Sequence, residues 1–584
     1  MKLNVGTAGL YISVFIFSLL MTGAAFLLSP IPFKTALKCI GKNPLILLLN
    51  FLPVFLLTLL AYAVFNRLWP SFALVSVLMT VLTLVNYFKT LVRQEPFMPS
   101  DLLVIREAMT FSGAAAYHVS VKMILTLVGI VAAVVFSVFI QTPKSGWIVR
   151  SGIAAAALLA VFLLNRFVYS DRALYFSFYC HGSTSKMTDI YESRGFLYSF
   201  WYNINGMRID RPEGYTDGKA RDILAAYDNA PAAEKIPLNV ILVLEESFTE
   251  LSDDAFFTFE QDPLENYKKI KEESYYGRLI VPNFGGGTAS TEFDILTGLS
   301  SGFINNQSPS SFWYVRKEHE AIVSAFKNNR YDAVAIHPGF DWFYNRKNVY
   351  RHFRFDSFLS RSDFDLTHTK DKAGLIADYA SFAKLRKLIG EQPAGTPLFS
   401  YLVTIQNHTP YNNRFVENAS VFTQPEALLT PEEVDILSNY FIGVADGDRE
   451  LKGLTDYLRG LDEPYLLVFF GDHLPSLGTA GRVYEKLGYS GLREYEAPYL
   501  IWSNDAAKEV FDLNAAVTRA GLKPGDTISA NYLGPLILEL LGLDADMPFY
   551  RFVNGQRRQY PILREESAEN TLDFRTVQYY RMTE

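Results

Sequence analysis

The chain has 584 residues, 49% of them hydrophobic, with 54 Lys+Arg against 61 Asp+Glu and a net charge of −7. That length exceeds what one hydrophobic core can organise and predicts roughly three or four structural units. Residues 1–170 hold 12 Lys+Arg and 3 Asp+Glu and the remainder carries about −16, an acidic balance that argues against nucleic acid as a partner, because a phosphate backbone binds a basic face.

From the N-terminus, stretches near 8–29, 45–65, 68–88, 123–141 and 151–165 are uncharged and long enough to cross a bilayer, which takes about 20 apolar residues. Lys2 and Gly23-Ala24-Ala25 also fit a signal peptide over 2–28, but four further spans favour an uncleaved first helix. With the N-terminus inside, five crossings place everything after residue 170 outside. The outer loops would then hold Lys34, Lys38, Lys42, Lys89, Arg93, Arg106 and Lys122, against the positive-inside rule. The outward orientation rests on the chemistry below. Within the loop 89–122, the prolines and Ser100-Asp101 predict a turn opening a short interfacial helix, with an ordinary connector as the alternative. Cys39 and Cys180 lie far apart and fit neither a disulfide framework nor a thiolate metal site.

From 171 to 236 the chain reads as an interfacial segment followed by a helical linker. Tyr198, Phe200, Trp201 and Tyr202 suit the headgroup layer, and Asp217 to Lys235 is charged and Ala-rich. Residues 237–545 alternate apolar strand-like runs with helical patterns, which predicts an α/β domain with a mostly parallel sheet and helices on both faces. Glu432 to Leu458 is the clearest helix, and its Asp446 and Asp448 read as a solvated face. The tail, 546–584, offers no site.

Four strand-like runs in this region end in groups able to do chemistry. Val240 to Leu244 leads into Glu245-Glu246, and Tyr331 to Ile336 into His337. Leu398 to Ile405 precedes Asn407-His408-Thr409-Pro410, and Tyr465 to Phe470 precedes Gly471-Asp472-His473. In an open parallel sheet, ligands sit beyond the carboxyl ends of the strands, so these groups are expected to meet in one crevice. Gly285-Gly286-Gly287 then lets the backbone approach closely, and Thr288 would open a helix whose N-terminus favours an anion.

Glu246, Asp472, His473 and the Thr288 oxygen form a set of mainly hard donors suited to Mn²⁺, with Mg²⁺ or Zn²⁺ as alternatives. Such an ion would turn the Thr288 hydroxyl into a nucleophile. Each residue also has a plain role: Thr288 as a helix cap beside Glu292, the glutamates as a solvated strand end, Asp-His as a loop cap.

Together, Leu244-Glu-Glu-Ser-Phe248, Gly285-Gly-Gly-Thr-Ala-Ser-Thr-Glu-Phe293, His337 with Tyr344-Asn-Arg346, Thr404-Ile-Gln-Asn-His-Thr-Pro-Tyr411 and Phe470-Gly-Asp-His-Leu-Pro475 resemble the lipoteichoic acid synthase and phosphoglycerol transferase family. That family lies within the alkaline phosphatase and sulfatase superfamily. The resemblance implies a multi-pass cell-membrane enzyme with an alkaline phosphatase/sulfatase-like catalytic domain facing outside. It further implies Mn²⁺ dependence, phosphatidylglycerol as glycerol phosphate donor, and a cell-envelope polymer or glycolipid as acceptor. Carried over, Glu246, Thr288, Asp472 and His473 would hold the metal, with Thr288 the nucleophile. His337, Arg346 and His408 would hold the glycerol phosphate, with His408 also able to move a proton. Lipoteichoic acid synthases tend to have Lys before the threonine and Trp two before the arginine. Gly287 and Tyr344 stand there instead, closer to the glucan-modifying branch. Neither cysteine lies where a formylglycine precursor would be needed, which argues against an arylsulfatase. The alternatives are a phosphoethanolamine transferase or phosphodiesterase with the same site, and a membrane sensor without turnover.

Overall fold

The computed structural model describes residues 3–30, 33–93, 96–104, 120–178, 180, 187–205, 209–228, 234–304, 310–315, 317–341, 343–371, 374–424, 428–477 and 482–584. The chain divides into an N-terminal unit ending at Arg208 and a second compact unit, Ile209–Glu584.

The first unit is helical: α1 Thr7–Leu27, α2 Phe33–Lys42, α3 Leu45–Phe65, α4 Leu68–Arg93, α5 Val121–Val138, α6 Trp147–Leu164, α7 Met187–Arg194 and α8 Phe196–Asn205. Five of these, α1 and α3 to α6, have the length and mean hydropathy, 2.0 to 2.5, of membrane spans. A helix satisfies every interior backbone group within its own segment, which a bilayer demands. The helix α3 packs against α1, α4 and α6, whereas α5 and α6 leave Leu125, Val128, Leu159 and Phe162 exposed, as lipid-facing helices do.

One expectation for this unit needs correction. Cys39 and Cys180 are joined in a disulfide, with their Cα atoms 5.5 Å apart. Their 141-residue separation in sequence concealed this, because α2 and the chain beyond the last span fold back on one another. Of the aromatic run, Phe200 and Trp201 are half-buried and the two tyrosines pack into the helical unit. Tyr198 and Tyr202 are buried, Tyr202 stacks on Tyr175 at 3.6 Å, and Asn50 of α3 takes the Tyr198 N–H while donating to the Arg194 carbonyl. At 99–104 the chain forms a 3₁₀ turn in which Asp101 accepts the Met98 N–H and pairs with Lys89 at 2.9 Å. Residues 105–119 of that loop lie outside the described ones.

The second unit is built on an eight-stranded sheet: β1 Asn239–Glu245, β2 Tyr275–Ile280, β3 Asp332–Ile336, β4 Ser357–Leu359, β5 Leu398–Val403, β6 Tyr465–Gly471, β7 Glu496–Ser503 and β8 Thr527–Ser529. The order is β8-β2-β7-β6-β1-β5-β3-β4, and only β7 runs antiparallel to its neighbours. Central β1 shows why its apolar run reads as continuous: Val240, Leu242 and Leu244 enter one core cluster, and Ile241 and Val243 the other.

Helices α9 Asp217–Ala225, α10 Glu265–Glu272, α11 Thr288–Thr297, α12 Arg346–His352, α13 Pro431–Arg459 and α14 Leu572–Thr583 belong to this unit, with α9 packed on α14. A capping box of Thr430 and Glu433, with Pro431 in the first turn, starts α13. Asp448 is not on a solvated face: it is buried and accepts the Asn266 and Tyr267 N–H groups, closing the first turn of α10. Asp446 accepts from Gln406 instead.

Candidate functional site

The apolar run of β1 ends where the chain must turn, and Ser247 makes that turn with φ at 55°. The Ser247 N–H donates to Asp472 Oδ1 at 2.8 Å, and its hydroxyl donates to Glu246 Oε1 at 3.1 Å. The Glu246 N–H donates to the Thr404 hydroxyl at 2.9 Å, so the ends of β1, β5 and β6 are tied around one carboxylate. Gly471 permits this: a Cβ there would sit 2.1 Å from the Phe248 carbonyl oxygen.

Opposite these ends, three glycines in positive φ lead into α11, the last of them, Gly287, at 88°. Gly287 is the cap residue and Thr288 the first helical residue, with no capping bond from a side chain. The simple capping role therefore does not apply to Thr288. Its hydroxyl points at Glu246 Oε2, 3.5 Å away, and Thr291 one turn on donates to the Asp472 carbonyl at 2.9 Å.

Glu246, Asp472 and His473 are all buried, and each offers a ligand atom within 4.8 Å of the others. The glutamates are thus not a solvated strand end. The His473 Nδ1–H donates to the Leu474 carbonyl at 3.0 Å, which leaves Nε2 as a lone pair facing Asp472 Oδ2, also 3.0 Å away. Asp472 Oδ2 and His473 Nε2 are buried without a hydrogen-bond partner. Burial, and then the neighbouring Asp472, hold the Glu246 carboxyl well above the usual range. Orphaned acceptors and two crowded carboxylates fit a divalent cation, which would satisfy the one and neutralise the other.

A second group of predicted residues joins them. The Arg346 Nη1–H donates to His337 Nε2 at 3.1 Å, while the His337 Nδ1–H donates to the Val403 carbonyl. Burial, then Arg346, keep His337 well below its ordinary pKa and so neutral, and His408 adds to that effect. His408 lies half-buried at the rim, its Nδ1–H on the Thr409 carbonyl at 2.8 Å.

Three residues escaped sequence reasoning. Glu292 takes two N–H groups of Arg346 on Oε1, at 3.1 and 2.6 Å, and the Tyr350 hydroxyl on Oε2. It stands in the Gly-rich motif, but nothing local says which way it turns. Ser247 likewise sits in a motif without any sign of its left-handed backbone. Arg414 had no signal: it is buried, pairs with Asp371 at 3.0 Å, and lowers the pKa of Glu246.

The sequence model of the sulfatase family matches residues 238–543. A Rhizobium meliloti protein named for cyclic beta-1,2-glucan modification is 27% identical over 480 residues, spanning 77% of this chain and 72% of its own. The Streptococcus pyogenes phosphoglycerol transferase GacH in complex with sn-glycerol-1-phosphate aligns with a TM-score of 0.52 at 23% identity, covering 64% of this chain and 94% of its own. The integral membrane lipooligosaccharide phosphoethanolamine transferase A of Neisseria meningitidis aligns with a TM-score of 0.56 at 12% identity, covering 95% and 99%. These likenesses establish the fold: apolar helices followed by an α/β domain with a largely parallel sheet.

Proposed function

The chain belongs to the sulfatase family, and on that premise we propose that it is a membrane-anchored phosphoglycerol transferase. It takes glycerol phosphate from phosphatidylglycerol and passes it, through a phosphothreonine-type intermediate in which the glycerophosphoryl group is esterified to Thr288, to a hydroxyl of an envelope polymer or glycolipid. The observation that carries this reading is the Thr288 hydroxyl in the first turn of α11, 3.5 Å from Glu246 and beside the acceptors of Asp472 and His473.

Glu246, Asp472 and His473, with Thr288, would hold a divalent ion. Such an ion, Mn²⁺ or alternatively Mg²⁺ or Zn²⁺, lowers the pKa of a hydroxyl and neutralises phosphoryl oxygen. The Thr288 hydroxyl gives up its proton as its oxygen bonds to phosphorus and the bond to the diacylglycerol oxygen breaks, and that proton passes to the departing oxygen, so that diacylglycerol leaves as an alcohol. The acceptor hydroxyl then bonds to phosphorus, gives up its proton and frees Thr288. Arg346, aimed by Glu292 and His337, holds the phosphoryl oxygens in both steps. His408 at the rim moves the proton.

The disulfide between Cys39 and Cys180 supports an outward-facing site, because such bonds persist on the oxidising side of a membrane. Both cysteines then lie outside, as five spans with an inner N-terminus require. In this reading the charge count of the loops yields to the disulfide. An impermeant thiol reagent should label these cysteines in intact cells after mild reduction, and exclusive labelling after cell lysis would reverse the orientation.

The purified chain, given labelled phosphatidylglycerol and a divalent metal, should release diacylglycerol and label Thr288, and Thr288→Ala should release none. Diacylglycerol released only from phosphatidylethanolamine would select the phosphoethanolamine transferase reading, and undiminished release by Thr288→Ala would sink both.

A further inference from the structure

The helix α2, Phe-Lys-Thr-Ala-Leu-Lys-Cys-Ile-Gly-Lys over residues 33–42, has three faces of different chemistry. Ala36 and Cys39 are buried in the bundle. Lys34, Lys38 and Lys42, four residues apart, form one exposed row, and no acidic residue stands among them. In an adjacent row Phe33 and Leu37 are 39% and 51% exposed. In water that second row would be a liability. At a bilayer surface the two rows have one explanation: the apolar side chains enter the acyl layer while the lysines reach back to the headgroups.

Two further observations support the orientation and the partner. The Cys39–Cys180 disulfide holds the buried side of α2 against the chain beyond the last span, so the lysine row is presented steadily and on the oxidising side. These lysines are also three of the seven basic residues that oppose the positive-inside rule, so insertion energetics do not account for them. An anionic surface does.

We propose that the Lys34–Lys38–Lys42 row of α2 is a binding surface for anionic phospholipid headgroups, which gathers donor lipid around the enzyme. The donor half of this statement rests on the phosphatidylglycerol reading above. The binding half does not. Three positive charges beside the headgroup layer raise the local share of anionic lipid, and a net-negative donor is enriched with it.

The test uses the full chain carrying Thr288→Ala, so that lipid is held and not consumed, in nanodiscs containing a minority of phosphatidylglycerol in phosphatidylcholine. The lipid retained after detergent extraction is then measured. The chain should retain phosphatidylglycerol in excess, Lys34→Gln/Lys38→Gln/Lys42→Gln should lose roughly fivefold of that excess per lysine removed, and the triple arginine variant should keep it. With Thr288 intact, the triple glutamine variant should need a higher phosphatidylglycerol fraction for half-maximal diacylglycerol release at unchanged maximal rate. An intact Cys39–Cys180 bond in each variant serves as the folding control. No excess of phosphatidylglycerol on the lysine chain, or an excess that survives the glutamines, overturns the proposal. Lysine-dependent retention without diacylglycerol release would uphold this surface and remove the transferase reading. Release without lysine-dependent retention would do the reverse.

Discussion

Asp472 Oδ1 accepts the Ser247 N–H at 2.8 Å, and this bond between residues 225 positions apart joins the ends of adjacent strands and aims the other oxygen, Oδ2, at His473. The approach depends on Gly471, whose missing Cβ would meet the Phe248 carbonyl oxygen at 2.1 Å. Gly471→Ala should therefore cost about 1–3 kcal/mol in urea unfolding of the detergent-solubilised chain. Diacylglycerol release should fall further than stability does, because the displaced residue neighbours Asp472. Wild-type turnover in that variant would show that the site tolerates a shifted Asp472.

The orphaned atoms of Asp472 and His473 predict a stabilisation linked to metal. At a hundredfold excess of ion over its dissociation constant, the folded state gains about 2.7 kcal/mol. A thermal melt with added Mn²⁺ should rise accordingly, and one in chelator should not. Asp472→Asn should melt at one temperature in both.

Arg346 and Glu292 form a buried ion pair, Nη2 to Oε1 at 2.6 Å, with side chains 2% and 0% exposed. Removing one partner leaves the other charge uncompensated. Glu292→Gln should destabilise the protein by about 3–5 kcal/mol. In the same variant the donor concentration needed for half-maximal rate should rise, since the guanidinium loses the group that aims it. Unfolding midpoint and initial rates, measured side by side, check the two halves.

Asp294, outside the metal cluster on α11, is pushed up to about 8 by burial, although the Ser301 N–H donates to it at 2.7 Å. A carboxyl whose folded pKa lies above its unfolded value binds its proton more tightly when folded. Its contribution is therefore fully present below about pH 4 and is lost as the pH rises through about 8. Asp294→Asn keeps the acceptor and removes the titration. Relative to wild type, that variant should gain stability between acidic and mildly alkaline pH, and parallel pH profiles of the unfolding midpoint would contradict the assignment.

Much of the molecule was legible locally. Five long apolar runs read as helices with the length and hydropathy of membrane spans, and the runs before Glu246, His337, His408 and Asp472 read as buried strands, because run length and side-chain period are properties of neighbouring residues. The strand-end rule then places the acids and histidines at one edge of the sheet.

What the sequence could not decide are pairings between residues far apart. The Cys39–Cys180 bond, the turning of Glu292 to Arg346 rather than to the start of its own helix, the burial of Asp448 under α10, and Arg414 beside Glu246 each join segments that no local rule connects. Local patterns report which apolar side chains are buried. Only the packed chain decides against what, since burying a charge is tolerated only where a partner, however remote in sequence, arrives to meet it.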